Sequence, residues 1–267
     1  MIHNKQLKFY SKPSFLALLS FMLSAILAKD KLKKLSWSNR IADYNNVFKL
    51  HNPSLWNVHK EINAILLRQS NNYKHYDYGE GYFYQSFDDL YITGYRNTTE
   101  RLKKLDLFEI TKNKNVLDIG CNAGFVLLSL SKVIKSGYGF DINPYLIEIA
   151  NSVKKHLNIS NCDFLDSTFE DLQRNEKYDV VLSLANHSTF DKNTRHNLDE
   201  YFIKCSNFLK KSGLLVFESH PPELEDKNKI KENIKIISQH FKILDIFKHE
   251  FTGFLDKNRT YILAEKV

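Results

Sequence analysis

The stretch that most limits how this chain can fold is Asn115-Val116-Leu117-Asp118-Ile119-Gly120-Cys121-Asn122-Ala123-Gly124-Phe125, with Val126-Leu127-Leu128-Ser129-Leu130 directly after it. A short apolar run leads into an acid, two glycines follow, and the apolar pattern then resumes. This reads as a buried parallel strand ending at Asp118, a tight turn, and a helix opening near Ala123. Glycine permits both the turn and the close approach of backbone to a ligand. Such a unit belongs in an open, doubly wound sheet, which binds nucleotide-like groups outside the carboxyl ends of its strands.

The same pattern recurs along the chain. Gly137 to Asp141 reads as a second strand ending in an acid, with Asn143 as N-cap and Pro144 at the first helical position. A carboxylate at this distance from the glycines, about 20 residues, is placed to accept the hydroxyls of a ribose. Further strands are expected at Cys162 to Leu165, Tyr178 to Leu184, Gly213 to Glu218, Lys242 to Phe247 and Thr260 to Ala264. Helices are expected at Thr194 to Lys210 and Lys227 to Phe241. A dinucleotide site would show Gly-x-Gly-x-x-Gly, with the middle glycine making room for a pyrophosphate. Asn122 occupies that position here.

Asp118, Gly120 and Gly124, with Asp141 downstream, resemble motif I and its sequel in the class I S-adenosylmethionine (SAM) methyltransferases. The resemblance covers roughly residues 98 to 267. It implies an α/β, Rossmann-like, seven-stranded mostly parallel sheet with helices on both faces, and SAM as the cofactor. It places Asp118, Gly120, Cys121, Asn122, Gly124 and Phe125 around the amino-acid part of SAM, and Asp141 and Ile142 at the ribose. Thr168 and Phe169 would edge the adenine, and Leu184 and Ala185 would lie near the methyl group. The segment from Tyr73 to Arg101 would fold over the site as a lid, with Tyr84 and Gln85 against the cofactor and Arg96 pairing with its carboxylate. His187, His220 and Glu218, at the carboxyl ends of neighbouring strands, are the candidates for a catalytic base. Histidine suits proton removal from a hydroxyl near neutral pH.

Three divisions are expected: residues 1–36, residues 37–100 as a helical extension with the lid, and residues 101–267 as the SAM-binding domain. In the first, lysines flank the apolar run from Phe15 to Ala28, which is shorter than the roughly 20 residues of a spanning helix. A packing helix, a membrane-surface helix and a cleaved signal all remain open for it. Leu55, Val58, Ile62, Ile65 and Leu66 recur at helical spacing, and Trp37 and Trp56 read as core anchors. The net charge of +7 comes chiefly from lysine, which favours a solvated surface over a nucleic-acid stripe. Cys121, Cys162 and Cys205 show no metal-ligand spacing and read as reduced thiols of a cytoplasmic protein. The expected reaction is O-methylation of a small-molecule or saccharide-type acceptor. RNA is the alternative acceptor, because the loop is also similar to that of the wobble-uridine tRNA methyltransferase relatives. A non-catalytic SAM-binding module is the third reading. The end of the fourth strand, Ala185-Asn186-His187-Ser188, lacks the Asn-Pro-Pro-Tyr pattern of amino-methylating enzymes.

Overall fold

The computed structural model describes residues 31–73, 83–187, 194–219, 227–248 and 259–267, with backbone alone for 31–37. The apolar run from Phe15 to Ala28, Trp37 as an anchor and His220 lie outside what is described. No helix among the described residues is long and apolar enough to cross a membrane.

Among the described residues four α-helices precede the sheet. Helix α1 spans Lys31–Lys49 and α2 spans Pro53–Asn72. The turn into α2 is set locally: the Asn52 side chain accepts the Ser54 and Leu55 N–H groups, and Pro53 supplies a pre-set φ. The apolar spacing seen in the sequence becomes one buried stripe, Val58, Ile62, Ile65 and Leu66. Trp56 stacks on Phe48 at 5.0 Å and donates to the Val47 carbonyl at 3.0 Å, closing the α1–α2 corner. The segment that leads into the first strand forms two short helices, α3 (Thr98–Lys104) and α4 (Leu107–Ile110). Asp106 adopts a left-handed conformation between them.

The sheet follows as β1 (Asn115–Ile119), α5 (Phe125–Leu130), β2 (Ser136–Asp141), α6 (Pro144–His156), β3 (Cys162–Asp166) and β4 (Tyr178–Leu184). Then come α7 (Leu198–Phe208), β5 (Leu209–Glu218), α8 (Lys227–His240), β6 (Phe241–Lys248) and β7 (Thr260–Lys266). Strand order is β3-β2-β1-β4-β5-β7-β6. β1 to β5 are parallel, while β7 runs antiparallel to both β5 and β6. This is the expected seven-stranded Rossmann-like sheet with an N-terminal helical extension.

The central strands are buried on both faces, which is why β1 and β4 read as continuous apolar runs. Leu117, Val181, Leu215 and Phe217 face α7 and α8, while Val116, Val180, Leu182 and Val216 face α3 to α5. A third apolar cluster joins α2 to α5 and α6 through Phe83, Phe87 and Phe125. The order reverses between β1 and β4, so the two adjacent loops splay apart at their carboxyl ends. That crevice is where the site lies.

Candidate functional site

The glycine loop is shaped by left-handed backbone. Gly120, Asn122 and Gly124 have φ of 64°, 54° and 73°, a region that costs most L-residues about 1–2 kcal/mol. Gly124 is the N-cap of α5, and a β-carbon there would stand 2.6 Å from the Phe164 ring. At Gly124 the loop therefore packs tightly on Phe164 of β3 and Ala150 of α6, with no room for a side chain. Cys121 was expected beside the cofactor. Its side chain instead packs beneath the loop against Gly139, where a β-carbon would sit 2.9 Å from its sulfur. Phe125 is likewise corrected: its ring is wholly buried, stacked 5.0 Å from Phe87 and 5.2 Å from Phe83. It ties the segment before the sheet to α5.

Asp141 stands at the end of β2 with each carboxylate oxygen already oriented. Oδ2 accepts the Asn122 N–H at 2.9 Å and Oδ1 accepts the Asn143 N–H at 3.0 Å. Next to it, Ile119, Gly120, Phe140, Ile142, Ser167, Phe169, Asn186, Thr194 and Tyr201 line a small, partly open cavity. Phe169 stacks on Tyr201 at 4.6 Å and forms its floor. Thr168 does not line the cavity. Its hydroxyl donates to Asp171 at 2.6 Å and accepts the Asp171 N–H, making a local turn. Ser167, one residue earlier, lines the cavity instead, held by its N–H to the Asp141 carbonyl. A lone acid flanked by an apolar slot suits a ribose and a purine.

On the other side of β1 lies a buried polar cluster that sequence reading identified only in part. Glu218 is wholly buried and ion-paired to Arg96 at 2.6 Å, to Arg259 at 3.1 Å and to Arg101. Tyr84 Oη accepts from Arg96 and Arg259, both at 3.1 Å, and Tyr261 Oη accepts from Arg96 at 3.3 Å. Burial alone would raise the Glu218 pKa, but Arg101, Arg96 and Arg259 together outweigh it and hold the group well below the usual carboxylate range. Glu218 is therefore no base: its lone pairs are committed and its proton affinity is minimal. Arg96, expected to be aimed at the cofactor carboxylate, is a member of this cluster.

Arg101 and Arg259 were missed, and the sequence holds no local signal for either. Arg101 keeps its Nε and Nη1 without hydrogen-bond partners among the described residues, and so do Asp118 Oδ2 and Gln85 Oε1. Arg101 acts electrostatically on Asp118, and Gln85 pairs with Arg96 of the same cluster. Burial pushes the Asp118 carboxyl up to about 8, with Arg101 opposing and Asp141 adding to the rise. The sign of the linkage follows. The unfolded chain releases this proton near 3.8 and the fold releases it near 8, so the ligand-free fold loses stability as pH rises across that window. Asp118→Asn is expected to raise the unfolding midpoint of the ligand-free protein near neutral pH and to flatten this decline. Thermal unfolding followed across the window checks it, and an unchanged slope refutes it.

At the end of β4, Leu184 and Ala185 stay close to the sheet, with the Ala185 N–H donating to the Glu218 carbonyl at 3.2 Å. Asn186 is locked. Its amide nitrogen donates to the Ile119 carbonyl, and its Oδ1 accepts from Ser183 at 3.1 Å and Tyr201 at 2.8 Å. His187 is buried with its ring 4.6 Å from Phe217.

The fold and this site together define a SAM-dependent methyltransferase of class I. Residues 110–266 match the family described as "Methyltransferase domain", and the chain belongs to that family. Among curated proteins it is similar to a Methanocaldococcus jannaschii protein assigned as a protein N5-glutamine methyltransferase, 32% identical over 45% of this chain and 70% of that one. It is also similar to the U6 snRNA methylphosphate capping enzyme Amus of Drosophila melanogaster, 27% identical over 69% of this chain and 63% of the relative. The solved N-methyltransferase NodS of Bradyrhizobium japonicum WM9, bound to S-adenosyl-L-homocysteine (SAH), shares the fold with a TM-score of 0.51. That match is 15% identical and covers 77% of this chain and 98% of NodS.

Proposed function

We propose that the protein transfers the methyl group of SAM to an oxygen of an RNA acceptor, a phosphate oxygen before any other. The observation that carries this reading is the state of the polar groups at the ends of β4 and β5. Asn186 has both of its oxygen lone pairs occupied, so it has none left to orient an acceptor amine. Glu218 is sealed among arginines and His187 lies against Phe217. Among the described residues, Asn186 and Glu218 are therefore not available as a general base. An oxyanion needs none: it arrives deprotonated and requires only alignment. The snRNA capping enzyme supports the same direction, because its likeness extends over 69% of this chain. Neither relative named above carries a saccharide acceptor in its name, and that earlier expectation gains no support.

SAM, when bound, supplies a methyl group activated on a sulfonium. The residues present fit it. Asp141 would accept the ribose hydroxyls, and Phe169 with Ile142 would enclose the adenine. The orphan groups of Asp118, Gln85 and Arg101 suit the ammonium and carboxylate of the amino-acid end. Gly120 and Gly124 keep the backbone beneath it clear.

The test is methyl transfer from isotopically labelled SAM to three acceptors: RNA with a terminal phosphate, the same RNA with a terminal hydroxyl, and a glutamine-containing peptide. Label on the phosphate-ended RNA alone is the expected result. Label on the peptide would favour the activity of the archaeal relative and end the oxygen reading. Equal labelling of both RNAs would move the acceptor atom away from the phosphate.

A further inference from the structure

The family match begins at residue 110, yet Gln85, Arg96 and Arg101 all precede it. The segment that carries the first two is a small looped hairpin with no place in the main sheet, antiparallel at Phe87–Ile92 and then folding back so that Arg96 runs parallel to Gln85. Phe87 and Ile92 exchange N–H···O bonds at 2.9 and 3.0 Å, and the Tyr95 and Arg96 N–H groups donate back to Phe83 and Tyr84. Its two arms touch so closely at Gly94 that a β-carbon there would lie 2.2 Å from the Gln85 carbonyl carbon. Two strands alone are marginal in water, so something else must hold this unit in register.

That support comes from α1 and α2 through buried polar contacts. One Asp43 carboxylate oxygen accepts the Thr93 N–H at 2.8 Å, and the other accepts the Thr93 hydroxyl. His59 Nε2 meets the Leu90 carbonyl at 2.7 Å, and Arg40 lies 5.0 Å over the Phe83 ring. Arg40 joins these anchors, donating to Asp43 at 3.1 Å, to Asn63 at 3.1 and 3.2 Å, and to His59 Nδ1 at 3.2 Å. All four polar side chains are at least nine-tenths buried. Because Nδ1 accepts from Arg40, the proton sits on Nε2 and is donated to Leu90. Burial, with Arg40 adding, lowers the His59 pKa to about 3, which keeps the ring neutral.

A buried ion pair adds little stability over apolar packing of the same volume. What it supplies is register. Apolar contact would press the helices on the hairpin without choosing where along it they sit. Two bonds from one carboxylate to one residue, Thr93, remove that freedom. Arg96 is three residues further on, and Gln85 pairs with it in a parallel bridge.

We propose that Asp43 is a positioning residue for methyl transfer: with Arg40 and His59 it sets the register of the 83–96 hairpin and so places Gln85 at the amino-acid end of the cofactor, with Arg96 beside it held in the Glu218 cluster. This rests on the reading above that the amino-acid end lies there. The α1–α2 pair is then a working part of the cofactor site, although it lies outside the family domain.

The test is calorimetric titration of the full chain with SAH and with 5′-methylthioadenosine, which lacks the amino-acid end. The variants are Asp43→Asn and the double variant Arg40→Met/Asp43→Leu, which leaves no buried charge unpaired. SAH affinity is expected to fall about tenfold or more in both, with stoichiometry retained. Affinity for 5′-methylthioadenosine should hold, since Asp141 and the adenine slot do not touch this network. A loss of stoichiometry at constant affinity would mean that the network only stabilises the fold, and the proposal fails. Equal losses for both ligands, or none for either, also overturn it. If the wild-type protein binds both ligands equally, the amino-acid end is not read at all, and the placement of that end falls first.

Discussion

Replacing Asp141 with alanine is expected to weaken SAM and SAH binding by about a hundredfold or more. Two hydrogen bonds from ribose hydroxyls to a carboxylate are each worth about 1.5–3 kcal/mol. The loss extends beyond those bonds, because Asp141 also receives the Asn122 and Asn143 N–H groups. One fixes the glycine loop and the other fixes the start of α6. Asp141→Asn keeps an acceptor oxygen but puts a donor where an N–H already points, so it should recover only a small part of the affinity. Calorimetric titration of all three proteins decides the matter. An alanine variant that binds within fivefold of wild type would mean that the ribose lies elsewhere.

The second large effect concerns stability. Glu218→Ala leaves Arg96, Arg101 and Arg259 buried around an empty centre. Removing one partner of a buried ionic group costs about 3–5 kcal/mol, and here one carboxylate serves three cations. Glu218→Gln keeps the shape but not the charge and should cost nearly as much. The pH dependence carries the sign. Because the folded pKa of Glu218 is depressed, its contribution is fully present above the unfolded value of 4.5 and is lost as pH falls through the acid range. Urea unfolding at neutral pH and at about pH 2.5 should therefore show the wild type and the alanine variant converging as acid is added. A constant gap would mean that packing, not charge, accounts for the loss.

The two effects separate what could be read in the sequence from what could not. The crevice was legible because its parts are local. Strand, acid, glycine turn and helix follow one another within a dozen residues, and the pattern repeats with Asp141, Asn143 and Pro144. Asn143 does cap α6, accepting the Tyr145 and Leu146 N–H groups, with Pro144 at its first position. The errors are also local, of a finer kind. Spacing does not tell which face of a tight loop a side chain takes, so Cys121 and Phe125 were assigned to the cofactor when they pack inward. Thr168 was chosen over Ser167 in the same way.

The Glu218 cluster was out of reach for a different reason. Its members come from positions 96, 101, 218 and 259, and no periodicity links residues more than a hundred positions apart. Only the strand order brings them together. Glu218 and Tyr261 face one another across the β5–β7 pairing, and α3 lays Arg101 over the same face of the sheet. The Asn186 lock has the same origin, since its carbonyl partner, Ile119, lies on another strand.

The strand order also has a consequence for how the protein is made. β7 lies between β5 and β6, so β6 leaves the ribosome before the strand it must pair with exists. Until residues 259 to 266 emerge, β6 has no edge to join, and Glu218 waits with one of its three cations missing. The cofactor crevice between β1 and β4 is complete in the nascent chain well before this. A ribosome-bound chain halted after β6 would therefore carry the loops for the nucleoside but an open sheet edge and an arginine cluster lacking Arg259. Closing the far side of the sheet is a late, long-range step, the kind that exposes a growing chain to aggregation. Synthesis thus finishes the cofactor half first and the arginine cluster last.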